Sequence, residues 1–482
     1  MVIYLFRLWI MKRPSVRRSF LIFICGNISP MERNTIKVTM VALGCSKNLV
    51  DAECMVKRIK DHGYTVVKDM SEADVAVINT CGFIESAKSE AIRAILDAAD
   101  YKSDGEKHGR LSHIIVSGCL PQRYSGDILT ELPEVDIVLG TAHYKDICEA
   151  IDSLYEVEDY KKAYVDDIGG LEHMTDDREI STSGYAWLKI GEGCVHKCAF
   201  CAIPLIRGKF MSRPMDDILR DAENIASKGI KEIILAAQDT TNYGIELYKR
   251  RALPELLHKL SQIDGIEVIR VMYGYMDGIN DELIDEIASN PKVANYLDIP
   301  IQHGDDAILK AMLRHDTSAV ITERLERLRE KIPGLIVRTT VMVGFPGETE
   351  ESFSNLVSNL KKWKFDRLGC FIFSPEEGTK AYDMPDQIPE EIKKSRYDIV
   401  YKTQQEISLQ SNTSRIGSEV MVTIDSIAED GIFYVGRSYG EAPEIDPIIY
   451  VANTSEEELK VGSRYKVKIL EASEYDMTGV TI

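Results

Sequence analysis

A chain of 482 residues with a formal net charge of −19 lacks the basic footprint of a general nucleic-acid binder. Its hydrophobic content of 44% and charged content of 28% are ordinary for a globular protein, and the length predicts about three domains. Ten cysteines over this length do not make a disulfide scaffold. Their clustering points instead to metal binding in a reducing compartment.

Residues 1–34 stand apart. Two short apolar runs, Val2–Met11 and Phe20–Cys25, are split by Lys12-Arg13 and Arg17-Arg18. Neither approaches the roughly 20 apolar residues of a spanning helix, so no stable membrane association is expected. Apolar residues precede basic ones, the reverse of a secretory signal. We expect a non-native or disordered extension here, with the working chain starting at Met31. A membrane-surface anchor is the competing expectation.

From residue 35 to 155 apolar strands alternate with helical patterns. Strands are expected at Ile36–Leu43, Asp74–Asn79, His113–Ser117 and Val135–Leu139, and helices at Leu49–His62, Ile84–Ala99 and His143–Leu154. That alternation predicts an α/β domain with a doubly wound parallel sheet. Three cysteines each follow a strand and each adjoins a glycine: Gly44-Cys45, Cys81-Gly82 and Gly118-Cys119. Ligands bind outside the carboxyl ends of such strands, so the three thiols are expected to converge on a second cluster site. Burial of three small cysteines in strand-to-helix turns is the plainer alternative. Cys54 and Cys148 read as helix-packing residues and Cys370 as strand core. Residues 156–184 form an acidic linker in which Ala163–Val165 is a candidate edge strand.

Residues 185–411 contain six strand–helix units, with strands near Ala186–Ile190, Glu232–Ala237, Glu267–Met272, Tyr296–Ile301, Leu335–Val343 and Leu368–Phe373. Six units predict a partial (β/α)6 barrel. After the first strand come Cys194, Cys198 and Cys201 at C-x3-C-x2-C spacing, with no fourth cysteine nearby. Three thiolates hold three irons of a cubane and leave one iron open, and an open position distinguishes a catalytic metal site from a structural one. A partial zinc knuckle is the alternative. The other strands end in polar or glycine-rich turns, where barrel active sites form: Gln238-Asp239, Tyr273–Tyr275, Gln302-His303, Gly344–Glu348 and Ser374-Pro375. Gln238 and Arg338 are candidate cofactor contacts, Arg338 through a carboxylate. His303 is a candidate proton carrier or a hydrogen-bonded structural histidine.

Residues 412–482 change character again. Short β runs at Glu419–Ile424, Ile432–Gly436, Ile448–Val451 and Tyr465–Leu470 predict a small antiparallel barrel. From Thr413 to Ile482 there are 13 Asp and Glu against 6 Lys and Arg, a net of −7. A phosphate-tracking barrel is basic, whereas an acidic one suits a basic protein. An acidic solvated surface without a partner is the alternative.

The loop Gly191–Cys201 resembles the cluster loop of the radical S-adenosylmethionine enzymes. Leu43–Asn48, Asn79–Ile84 and Gly118–Gln122 resemble the amino-terminal domain of the methylthiotransferases within that group. The last part resembles their carboxyl-terminal TRAM barrel. Further stretches, Cys201–Gly208, Gln238–Gly244, Tyr296–His303 and Gly436–Asp446, resemble the branch acting on an aspartate of small-subunit ribosomal protein twelve (uS12). The similarity runs from about Thr35 to Ile482. One departure is Val195, where the family often has asparagine. The resemblance implies two 4Fe-4S clusters and S-adenosylmethionine. Cys194, Cys198 and Cys201 are then the catalytic cluster ligands, whose open iron binds S-adenosylmethionine and whose electron yields a 5′-deoxyadenosyl radical. Cys45, Cys81 and Cys119 hold the auxiliary cluster for sulfur insertion. It also implies an electron donor such as flavodoxin or ferredoxin, and a cytoplasmic location. The tRNA adenosine methylthiotransferases (MiaB type) are the alternative branch, and a non-catalytic iron–sulfur or zinc scaffold is the alternative from another class.

Overall fold

In a computed structural model of the protein, residues 33–156, 160–166, 168, 170–175 and 177–482 are described. The extension expected over residues 1–34 therefore lies outside the described residues but for its last two positions, and so does Cys25. The chain divides into two compact units. One is Met1–Glu179 with Leu205–Gly208, and the other is Ile180–Pro204 with Lys209–Ile482.

The first unit is built on β1 (Lys37–Ala42), β2 (Thr65–Val67), β3 (Val75–Thr80), β4 (His113–Gly118), β5 (Ile137–Leu139) and β6 (Lys162–Tyr164). They form a parallel sheet of order β2-β1-β3-β4-β5-β6. Every residue of β3 is buried, as a strand covered on both faces must be. Alternate residues feed two apolar layers. Val75, Val77 and Ile115 pack with Met55 and Ile151 from the helices Ser46–Asp61 and Ile147–Glu156. Ala76, Ile78 and Val116 pack with Ile95 and Leu120 from Glu85–Ala99 and Cys119–Glu131. The sheet is thus doubly wound, and strand order reverses between β1 and β3. That reversal opens a crevice at the carboxyl ends of the strands, the ligand position of such sheets. The edge strand β6 falls in the stretch where one was expected. β2 was not foreseen, because three half-buried residues carry no readable period.

The second unit contains β7 (Tyr185–Lys189), the antiparallel ribbon β8 (Gly191–Glu192) and β9 (Met211–Ser212), then β10 (Glu232–Ala236), β11 (Val268–Val271), β12 (Val293–Asp298), β13 (Ile336–Val343) and β14 (Arg367–Ile372). Its parallel sheet has the order β14-β13-β12-β11-β10-β7. Helices cover it through stripes such as Ile218, Ala222 and Ile225, spaced at helical period. β12 lies three residues earlier than Tyr296–Ile301. Pro300 has no N–H to give the ladder, Gln302 turns to a φ of 71°, and regular pairing with β13 stops at Asp298.

The chain ends in a closed barrel, β15 (Glu419–Ile427), β16 (Tyr434–Arg437), β17 (Ile449–Ala452), β18 (Arg464–Ala472) and β19 (Met477–Thr481), in the order β15-β16-β17-β19-β18. β19, which closes it, was not foreseen, and it pairs parallel with β17 while the other pairings are antiparallel. Its Gly479 lets the strands approach: a Cβ there would lie 2.6 Å from the Val467 side chain and 2.7 Å from the Lys468 carbonyl oxygen.

Buried ion pairs tie this barrel to the six-stranded sheet. Glu232 of β10 accepts from Arg270 (3.0 Å) and from Arg437 of β16 (3.0 Å). Glu441 accepts from Arg367 of β14 (3.2 Å) and from Arg415, and Asp446 faces Arg338 of β13 at 3.3 Å. Glu441 and Asp446, two of the thirteen acids behind the expected acidic docking face, are not part of it: arginines hold both. Nine acidic residues of Thr413–Ile482 remain exposed, against three exposed lysines, so the surface of this barrel stays acidic.

Candidate functional site

The C-x3-C-x2-C loop leaves β7 and is bracketed by the ribbon of β8 and β9. Gly193 has φ 80°, a left-handed turn that glycine takes without strain. The loop is held at its middle: Ala199 N–H donates to the Met312 carbonyl (2.9 Å), and Ala381 N–H donates to the Ala199 carbonyl (2.8 Å). Phe200, Met312, Phe345 and Phe373 surround it with apolar side chains. Cys194 and Cys198 are buried and Cys201 is half-buried. Burial pushes the Cys194 thiol up to about 12 and raises Cys201 as well; the charges of Asp239 and then Cys198 add to the first, and those of Cys198 and Cys194 to the second. Such thiols ionise when a metal replaces the proton.

Polar side chains of other strand ends meet this loop. His196 Nε2 lies 2.7 Å from Asp239 Oδ2, and the His196 ring stacks on Tyr275 at 3.7 Å between centroids, the ring planes nearly parallel at 2°. The Tyr275 hydroxyl is 3.1 Å from Cys198 Sγ, and the Arg314 guanidinium lies 4.0 Å from the Tyr275 ring centroid. Asp239 also accepts from Thr241 N–H and Asn242 Nδ2. It therefore shapes its own turn and orients His196. Gln238 Nε2 donates to Glu192 Oε1 at 2.6 Å, while Gln238 Oε1 is buried without a hydrogen-bond partner among the described residues. An orphaned acceptor at the end of β10, its amide nitrogen held by Glu192 of the ribbon that brackets the cysteine loop, fits a ligand ammonium.

Arg338 does not share this setting. Its guanidinium pairs with Asp298 (3.0 Å) and Asp446 (3.3 Å), so two protein carboxylates take the charge that was expected to meet a cofactor. His303 is fully buried, with Nδ1 accepting from Asp305 N–H at 3.0 Å. Burial holds it down to about 3, so the ring is neutral near pH 7, and its Nε2 is buried without a hydrogen-bond partner among the described residues, 3.8 Å from Glu348.

In the first unit the three strand-end cysteines come together at the switch between β1 and β3. A Cβ on Gly44 would lie 2.7 Å from Cys81 Cβ. One on Gly118, where φ is 104°, would lie 2.3 Å from the Thr80 carbonyl oxygen. Both glycines permit the approach of neighbouring turns. Burial raises the Cys81 thiol to about 12, with repulsion from Cys119 and Cys45 next in weight. Asn48 knits the turns, its Nδ2 donating to the carbonyls of Leu43 (3.1 Å) and Thr80 (3.0 Å). Asn79 Nδ2 donates to the Asn48 carbonyl at 2.8 Å.

Among the described residues no set of three His, Cys, Asp or Glu closes around a single metal ion. A cluster holds its thiolates farther apart than one ion does, and two all-thiol triads, each lacking a fourth cysteine, have the donor chemistry of iron–sulfur ligation. Sequence reasoning passed over Tyr275, His196 and Arg314 as individuals. Tyr275 lay in a strand ending already marked as polar, but Arg314 follows a short helix and has no local signal. Cys54 and Cys370 are buried as expected, and Cys148 is half-buried on its helix.

Residues 37–140 match the uncharacterized protein family UPF0004, residues 188–360 the radical SAM superfamily and residues 416–482 the TRAM domain. Among curated relatives, ribosomal protein uS12 methylthiotransferase RimO of Acetivibrio thermocellus is 47% identical over 92% of this chain and 98% of its own length. The protein of the same name from Clostridioides difficile is 45% identical over 92% and 98%. Among solved structures, the radical S-adenosylmethionine methyltransferase TsrM from Kitasatospora setae, with cobalamin and a [4Fe-4S] cluster bound, aligns with a TM-score of 0.53. It covers 70% of this chain and 75% of that one at 12% identity, a likeness of fold alone.

Proposed function

The chain belongs to the RimO family of radical S-adenosylmethionine methylthiotransferases, and from that premise we propose that it methylthiolates the β-carbon of an aspartate in ribosomal protein uS12. The observation that carries this reading is the pair of three-cysteine sets, each at the carboxyl ends of parallel strands. An unactivated aliphatic C–H is too weak an acid for a side-chain base, so the chemistry belongs to cofactors. When bound, S-adenosylmethionine and two 4Fe-4S clusters would supply the one-electron step, the hydrogen abstraction and the sulfur, and a second S-adenosylmethionine the methyl group.

The chain's own residues bind and orient. Cys194, Cys198 and Cys201 would hold the radical-forming cluster as its three thiolate ligands. Gln238 Oε1 would accept from the amino group of S-adenosylmethionine, its amide fixed by Glu192. The phenylalanines and Met312 around the loop keep water from a radical site. Cys45, Cys81 and Cys119 hold the auxiliary cluster. We assign amino-terminal α/β, central partial-barrel and TRAM-like domains to residues 35–155, 185–411 and 412–482. The exposed acids of the TRAM barrel attract a basic substrate. A small electron-transfer protein such as flavodoxin or ferredoxin supplies the electron, in the cytoplasm. Among the described residues no helix is long and apolar enough to cross a membrane.

Peptide mass spectrometry of uS12, beside nucleoside analysis of tRNA, from cells with and without the enzyme tests the reading. The modified aspartate should vanish with the enzyme. Loss of a methylthioadenosine in tRNA, with uS12 unchanged, would overturn it in favour of the MiaB-type branch.

A further inference from the structure

Six residues after Cys201, at the end of the short helix Ile203–Arg207, Arg207 joins the first unit and is buried there, 2% exposed. Its Nη1 donates to Asp51 Oδ2 at 2.8 Å. The other oxygen of Asp51 meets His173 Nε2 at 2.8 Å. Arg207 Nη2 reaches Asn48 Oδ1, Cys119 Sγ at 3.4 Å and the Tyr144 hydroxyl at 3.3 Å. A buried arginine is costly unless paired and hydrogen-bonded, and here the pairing also aims it. Asn48 presents its oxygen because its amide nitrogen is spent on the carbonyls of Leu43 and Thr80. Asp51 fixes one edge of the guanidinium and leaves another edge toward the sulfur.

We propose that Arg207 is a positioning residue for the Cys45/Cys81/Cys119 cluster, holding a fixed positive charge and an N–H beside Cys119 Sγ and thereby raising the reduction potential of that cluster. This rests on the auxiliary-cluster reading above. As a thiol, Cys119 faces Asn48 Oδ1 at 3.7 Å. As a thiolate ligand it only accepts, and Arg207 Nη2 is a donor already within reach. Net charge and hydrogen bonds to sulfur are among the quantities that set iron–sulfur potentials, and partners of the ligands tune a metal site as the ligands themselves do. A charge held from behind by Asp51 stays fixed when the cluster gains an electron. The peptide that supplies a ligand of one cluster therefore supplies the counter-charge of the other.

The test uses the full chain with Cys194→Ala, Cys198→Ala and Cys201→Ala, which leaves the second cluster alone. Iron content and an EPR-monitored redox titration are read after anaerobic reconstitution, with and without Arg207→Gln, Arg207→Lys or Asp51→Asn. Arg207→Gln should shift the midpoint to more negative potential, and Arg207→Lys, which keeps the charge, should recover most of that shift. Asp51→Asn removes the counter-charge and should shift the midpoint the opposite way. An unmoved midpoint in Arg207→Gln at full iron content overturns the inference and leaves the cluster reading standing. If Arg207→Gln does not retain iron, the sign in Asp51→Asn decides, and an unmoved or more negative midpoint overturns the inference. A background protein that binds no cluster overturns the reading beneath it.

Discussion

At the scale of single residues, the two cysteine triads separate by what each loses. Cys198→Ala should abolish cleavage of S-adenosylmethionine, read as 5′-deoxyadenosine, and leave the iron of the other triad. Cys81→Ala should keep 5′-deoxyadenosine formation and lose methylthiolation, so a fully modified product would contradict its role. His303 makes a prediction about stability. Burial keeps it neutral in the folded protein down to about pH 3, whereas the unfolded chain protonates it near 6.5. The folded pKa is depressed, so the contribution is complete above pH 6.5 and is lost as pH falls toward 3. Linkage puts the loss at roughly 2 kcal/mol between pH 7 and pH 5. The fall in unfolding free energy from pH 7 to pH 5, measured by denaturation, should be smaller in His303→Gln than in wild type by about that amount; equal falls would refute the assignment.

At the scale of elements, the auxiliary site depends on how closely three strand-to-helix turns approach. Gly118 both takes a left-handed φ of 104° and sits where a Cβ would lie 2.3 Å from a backbone oxygen of β3. Gly118→Ala should therefore cost about 1–3 kcal/mol and displace Cys119. The expected result is reduced iron in the Cys45/Cys81/Cys119 site with the radical site still loaded; unchanged iron stoichiometry would show that the turn tolerates the methyl group. The cysteine spacing and the neighbouring glycines were legible in the sequence because each turn follows an apolar strand. The Arg207–Asp51–His173 network was not legible. Its members are 34 to 156 residues apart in sequence, and no local pattern marks a buried arginine.

At the scale of the whole molecule, the final barrel is part of the fold of the second unit. Burial alone would raise the Glu441 carboxyl, but Arg415 and Arg367 hold it at about 2. Its stabilising contribution is present above the usual carboxylate pKa and lost as pH falls through about 2. Glu441→Gln leaves both arginines without their shared anion and should cost about 3–5 kcal/mol, read as a lowered denaturation midpoint. Removal of Thr413–Ile482 would strip partners from Arg270, Arg338 and Arg367 at once, so loss of substrate binding in such a truncation would not identify a reader. A fold-preserving test is neutralisation of Glu456, Glu457 and Glu458, which are exposed. Binding of a basic protein substrate should weaken and lose salt dependence; unaltered affinity and salt slope would remove this face from recognition.

The sequence by itself determined the architecture: a parallel α/β sheet, a six-stranded partial barrel and a small β-barrel. Hydrophobic period and turn residues are local properties. It also marked both cysteine triads, one by spacing and one by repeated strand–cysteine–glycine junctions. Only the tertiary structure decided which charges are spent inside the fold. Arg338, Glu441 and Asp446 read as available groups, yet each is consumed by a partner distant in sequence. Arg207 read as one residue of a motif, and its position beside Cys119 emerges only when its segment packs against the helix Ser46–Asp61. Pairing of buried charges is a property of three-dimensional proximity, and composition does not encode it.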